Sequence, residues 1–212
     1  MTAPSGPAVP VRLVLATHNA HKVRELREIL VPALPGLDPA SVVGAGEVGA
    51  PEPVEDGLTF AENALIKARA IAAATGLPAV ADDSGLVVDV LGGSPGIFSA
   101  RWSGRHGDDA ANLELLLAQL ADIGPAHRTA RFMCAAALVT PDGREDVRTG
   151  ALDGVLAMEP RGGHGFGYDP VLVPVGETRT CAELTPAEKN AISHRGKAFR
   201  ALAPLVVHAL GG

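Results

Sequence analysis

The 212-residue chain is predicted to fold as a mixed α/β protein. Three observations predict it. A buried strand near the start runs directly into a helical pattern. A second helical pattern then feeds a second strand. Further on, two strand-like runs flank a Pro-Asp-Gly turn and must fold back antiparallel. The length allows one large domain or two small lobes, and 47% hydrophobic residues supply a core. Met1 to Pro10 is rich in proline and small residues and is expected to be a flexible segment ahead of a single domain over 11–212.

The elements follow in order. Val11 to Ala16 reads as a buried strand, and Thr17 to Lys22 as the corner after it. Val23, Leu26 and Leu30 then recur at helical spacing, with Asn19 suited to cap that helix. Ser41-Val42-Val43 is a short strand inside a Gly- and Pro-rich stretch. Thr59 and Glu62 form a capping box, which starts a helix near Phe60. Its apolar face is Ala61, Ala64, Leu65, Ala68, Ile71 and Ala72; Asn63 and Lys67, four apart, share another side. Thr75-Gly76 ends it, and Pro78 to Ala81 is taken as the end of a strand, with Asp82-Asp83-Ser84-Gly85 after it either a carboxylate site at the strand end or a plain turn. Leu91 to Gly96 is a tight loop expected to brace the Asp83 strand and shape a subunit surface. Asp108 or Asp109 caps a helix with Leu113, Leu116, Leu117 and Leu120 on its core face. Thr129 to Val139 is a long strand, Asp146 to Thr149 its return, and Val171 to Val173 another strand. Thr185 to Glu188 carries an N-cap, an N1 proline and a capping-box acid. Ser193 to Gly196 interrupts the helical pattern before a last helix from Lys197 to Leu210.

Composition excludes several function classes. A net charge of −6 argues against a surface for polymeric nucleic acid, which needs a basic stripe. Aromatic residues at 3% give no stacking platform for single strands. Cys134 and Cys181 stand in no metal-ligand spacing and point to a reducing compartment. Lys67 and Arg69 interrupt the best apolar run, so no membrane span is expected, and Met1 to Pro10 does not read as a signal peptide. A cytoplasmic protein is the expectation.

The residues that carry chemistry cluster in four places. Adjacent carboxylates at Asp82 and Asp83 are costly unless a cation compensates, and a divalent ion with oxygen ligands is the usual compensator. Glu55 can join Asp83 around one metal, with Lys67 near. The corner Thr17-His18-Asn19-Ala20-His21-Lys22 points backbone N–H groups at an anion, and a lysine at a helix start suits a bound phosphate. Gly165-Phe166-Gly167-Tyr168-Asp169-Pro170 sets two aromatic rings and an acid among glycines, a surface on which a purine can lie. Asp169 can accept from a base edge or bond local backbone. Lys189 and Arg195 add cations for a polyphosphate, or Arg195 for a base carbonyl.

The chain resembles the inosine triphosphate pyrophosphatase family, the non-canonical purine NTP pyrophosphatases or XTP/dITP diphosphatases. The resemblance rests on blocks in the family's order: Ala16 to Lys22, Gly57 to Ala64 with Lys67-Ala68, Ala81 to Leu86, Gly92 to Arg101, Gly165 to Pro170, and Ala182 to Thr185 through Lys189 to Ser193-His194-Arg195-Gly196. It implies an elongated, two-lobed fold around a long curved mixed sheet, with the active site in the cleft between lobes. It also implies a homodimer that hydrolyses ITP, dITP and XTP to the monophosphate and pyrophosphate. Mg²⁺ would rest on Glu55 and Asp83, with Asp83 as general base; whether Asp82 shares that work stays open. Thr17 to Lys22 and Ser84 would hold phosphates and sugar, with Lys67 and Lys189 as further cations. Phe166, Gly167, Tyr168, Asp169, His194 and Arg195 would frame the base. His18 departs from the family, where many relatives have glycine, and Val54 stands where some carry a second acid.

Overall fold

A computed structural model describes residues 9–211, without the side chains of Ala20 and His21. The flexible segment expected over residues 1–10 therefore lies almost wholly outside the described residues. The strands are β1 (Leu13–Leu15), β2 (Val42–Gly44), β3 (Ala79–Val88), β4 (Thr129–Val139), β5 (Glu145–Leu156) and β6 (Leu172–Pro174). The helices are α1 (Ala20–Leu30), α2 (Phe60–Thr75), α3 (Asp109–Gln119), α4 (Pro186–Ile192) and α5 (His194–Ala209). The strands form one sheet in the order β2-β1-β3-β4-β5-β6. β1 runs parallel to β2 and β3, and the pairs from β3 to β6 are antiparallel.

Two lobes share the long strands β3, β4 and β5. In the first, α1 and α5 cover one face through Leu26, Leu30, Phe199 and Leu202 against Leu13, Leu15, Val80 and Leu138. α2 covers the other face through Ala64, Ala68 and Ile71 against Val14, Ala79, Ala81 and Ala137. The alternation along β3 assigns odd residues to the α2 side and even residues to the α1/α5 side. In the second lobe, Leu116 of α3 and Leu120 at its C-cap pack on Leu86, Val88, Phe132 and Leu152.

The capping signals hold. Thr59 accepts from Glu62 N–H and Glu62 reaches back; Thr185 and Glu188 do the same at α4, with Pro186 in the first turn. At α3 the cap is Asp108, whose carboxylate accepts from Ala111 N–H at 3.2 Å. The Gly92–Gly96 loop does brace β3: Val88 N–H donates to Ser94 O at 3.1 Å, and Leu86 N–H to Ser99 Oγ at 2.9 Å.

Two expectations are corrected. Asp82 to Gly85 is not a turn after a strand: β3 runs unbroken through it, every residue in register with β4. Ser193 to Gly196 does not delay the last helix. Ser193 caps it, accepting from Gly196 N–H at 2.9 Å, so α5 starts at His194 rather than Lys197.

Candidate active site

β1 pairs with β3 only as far as Val80, and Ala16 N–H makes the last backbone bond, to Val80 O. The chain then turns away at Thr17. Beyond that point the edge of β3 faces a cleft of about 930 Å³ between the lobes, and Asp82, Asp83 and Ser84 line it.

Strand geometry sends the two neighbouring aspartates to opposite faces. Asp83 points to α2. Its carboxylate accepts from Lys67 Nζ at 3.2 Å and from Asn63 Nδ2 at 3.2 Å. Lys67 also lies 3.2 Å from Glu55, so one ammonium stands between two carboxylates. Burial raises the Asp83 pKa above its ordinary value; Lys67 opposes this and Glu55 reinforces it. Asn63 is buried and also accepts from Gly57 N–H at 2.9 Å, which holds the Glu55 loop against the start of α2. A Cβ on Gly57 would come within 2.6 Å of that same Asn63 oxygen, so only glycine allows the approach.

Asp82 points to α1 and α5. Arg195 Nε donates to it at 3.0 Å, while Arg195 Nη1 donates to both oxygens of Glu25 and Nη2 to Ser84 Oγ at 3.0 Å. Arg195 is 3% exposed. Burial disfavours the Asp82 charge, but Lys22, Arg195 and Lys67 outweigh it and hold the carboxyl well below its usual range.

The Thr17–Lys22 corner borders the same cleft. Lys22 N–H donates to Asn19 Oδ1 at 3.3 Å, the expected helix-start bond. His18, where many relatives have glycine, donates from Nε2 to Ala50 O at 2.8 Å and thereby ties the corner to the loop leading to Glu55. Ala20 and His21 open α1, and their side chains lie outside the described ones.

The glycine-rich loop forms the other end. Phe166 is 53% exposed on the cleft. Tyr168 is 5% exposed, packed in the second-lobe core, and its hydroxyl donates to Ser99 O at 2.9 Å. Asp169 accepts from Phe166 N–H at 2.9 Å and from Lys189 Nζ at 2.5 Å. Gly165 has φ +79°, and a Cβ there would strike the Asp169 carboxylate at 2.0 Å. Lys189 Nζ lies 5.2 Å and Arg195 Cζ 5.9 Å from the Phe166 ring centre. The His194 ring stacks on Phe132 at 5.0 Å. Its Nδ1 is buried without a partner among the described residues. Burial, with Arg195 and Lys189 nearby, holds the His194 pKa well below its ordinary value, so the ring is neutral near pH 7.

A model of the Ham1 family matches residues 13–205. The chain belongs to the Ham1 family. It is 66% identical over 200 residues to a dITP/XTP pyrophosphatase of Streptomyces avermitilis, covering 94% of this chain and 99% of the relative. A dITP/XTP pyrophosphatase of Streptomyces coelicolor is 67% identical over 201 residues, with 94% and 99% covered. A Ham1 protein from Coxiella burnetii superposes with a TM-score of 0.83 at 40% identity, over 93% of this chain and 99% of the other.

The Ham1 fold gathers the sequence-predicted residues with describable side chains into one cleft, with three adjustments of place. Lys189, expected as a cation for the polyphosphate, pairs with Asp169 and lies over the Phe166 ring. Asp169 takes the local backbone bond of its two open options. Arg195 spends its donors on Asp82, Glu25 and Ser84. Sequence reading missed Glu25, which is one among several charges on α1, and noted Asn63 only as sharing a side with Lys67. A buried asparagine one turn from a lysine leaves a signal only in its spacing.

Proposed function

We propose that the chain hydrolyses non-canonical purine nucleoside triphosphates, dITP, ITP and XTP, to the monophosphate and pyrophosphate. The observation that carries this reading is the set of groups lining one cleft. A cation-bearing helix start, the Glu55–Lys67–Asp83 cluster between α2 and β3, and a half-exposed Phe166 with a buried, unpartnered His194 nitrogen all border it. The names of the curated relatives support it.

Among the described residues no group of three His, Cys, Asp or Glu is placed to hold a metal. Two carboxylates completed by substrate oxygens and water nevertheless fit Mg²⁺, which keeps much of its hydration. Glu55 and Asp83 would hold it. Bound there, Mg²⁺ supplies neutralisation of phosphate charge and a more acidic water.

The rest belongs to the protein's own groups. Lys22 at the helix start and Ser84 bind the polyphosphate and sugar. Asp83 accepts the proton of the water that attacks the α-phosphorus, and the α–β phosphoanhydride breaks with pyrophosphate leaving. Burial favours this role by raising the basicity of its carboxylate. Asn63 and Lys67 fix its orientation. Phe166 stacks on the purine, and the neutral His194 offers its free nitrogen to the base edge. Hypoxanthine and xanthine carry a carbonyl at C6 and a donor at N1; adenine reverses the pattern and leaves buried groups unpaired.

The family resemblance further supports a homodimer. The partly exposed Val90 and Phe98, flanking the Gly92–Gly96 loop, provide an apolar surface for it. A substrate pool of free nucleotides supports a cytoplasmic location; no helix of the described residues is long and apolar enough to cross a membrane. The test is product analysis with dITP and Mg²⁺. dIMP and pyrophosphate are expected; dIDP and orthophosphate would mean that the wrong bond is cut. Chelation with EDTA is expected to stop turnover reversibly.

A further inference from the structure

Two adjacent aspartates open α3, and only one of them caps it. Asp108 accepts from Ala111 N–H, the bond a helix cap makes. Asp109 is left free of that duty, and its carboxylate reaches instead to the glycine-rich loop, 58 residues further along the chain. There it accepts from Gly167 N–H at 2.9 Å.

That bond falls on the peptide unit directly after Phe166. The peptide unit before it donates its Phe166 N–H to Asp169 at 2.9 Å. Two carboxylates from two different elements therefore hold the backbone on both sides of the exposed ring. Gly167, at φ +61°, has no side chain with which to anchor itself. On the next residue, Tyr168 ties the loop to Ser99 O from below, inside the core. That bond fixes the height of the loop and leaves the tilt of the 166–167 peptide to Asp109.

We propose that Asp109 is a positioning residue for base binding: it fixes the Phe166–Gly167 peptide from the neighbouring start of α3 and so sets the plane on which the purine lies. This rests on the reading that Phe166 stacks on the substrate base. Asp109 acts through Phe166 and touches no reacting atom, so it governs KM and leaves kcat nearly unchanged.

The experiment measures kcat and KM for dITP, by pyrophosphate release, in the unsubstituted protein, Asp109→Ala, Asp109→Asn, Phe166→Ala and the double variant Asp109→Ala/Phe166→Ala. Loss of one hydrogen bond to the loop predicts a rise in KM of roughly fivefold in Asp109→Ala with kcat little changed. Asp109→Asn keeps an acceptor oxygen at the same reach and is expected to restore KM. In the Phe166→Ala background, Asp109→Ala is expected to add nothing, because the group it positions is gone. Should Asp109→Ala fold poorly, Asp109→Ser, too short to reach Gly167, replaces it. An unchanged KM, a loss confined to kcat, or full additivity with Phe166→Ala overturns the proposal. Absence of turnover in the unsubstituted protein overturns the underlying reading and the proposal with it.

Discussion

In the proposed reaction Asp83 takes the proton of the attacking water; β3 aims it at Lys67 and Asn63, while Asp82, one residue earlier, is aimed at Arg195. Asp83→Asn keeps the shape of the site and loses the proton acceptor. Its kcat for dITP should fall by about 10²–10⁴-fold with KM nearly unchanged, as steady-state kinetics would show. That the carboxylate pair lies beside Lys67 was legible in the sequence, but the separation of Asp83 from Asp82 was not. Reading the pair as a turn left the two carboxylates interchangeable; only an unbroken strand separates them to opposite faces. His194 gives a second prediction at this scale. His194→Phe keeps a ring against Phe132 but removes both nitrogens. The ratio of kcat/KM for dITP over dATP should fall by about tenfold or more, while an unchanged ratio would assign base selection elsewhere.

The network that joins α1, β3 and α5 belongs to the scale of elements. Glu25, Asp82 and Ser84 surround a buried Arg195. Removing the Asp82 charge breaks the fully buried half of this network and leaves the Arg195 guanidinium with the Glu25 carboxylate as counter-charge. Asp82→Asn should therefore destabilise the protein by about 3–5 kcal/mol at neutral pH, read from urea unfolding. The sign of its pH dependence follows from the depressed folded pKa. The Asp82 contribution is complete above about pH 4, near the unfolded carboxyl value, and is lost as pH falls through the lower folded value. The stability gap between Asp82→Asn and the unsubstituted protein should accordingly narrow below about pH 4. Helix starts at Thr59 and Thr185 were legible because caps are local chemistry. The start of α5 at Ser193 was obscured by the polar run His194-Arg195-Gly196, whose burial comes from tertiary partners that no window of sequence contains.

Across the whole molecule, the two-lobed form around a long mixed sheet came from the resemblance, whereas local pattern predicted only the α/β alternation and the β4–β5 return. The sheet order β2-β1-β3 depends on crossovers that periodicity does not encode. What the fold accomplishes is to end β1 early, so that β3 presents its middle to the cleft where the phosphate corner, the carboxylate cluster and the Phe166 loop converge. The account's central claim is that this convergence splits a non-canonical purine triphosphate between its α- and β-phosphates. The most direct measurement is pyrophosphate release, as kcat/KM, from dITP, XTP, dATP and dGTP with Mg²⁺, in the unsubstituted protein and in Asp83→Asn. The account predicts fast release from dITP and XTP, release from dATP lower by about 10² or more, and near-complete loss in Asp83→Asn. Equal release from dITP and dATP, or undiminished release in Asp83→Asn, would contradict it.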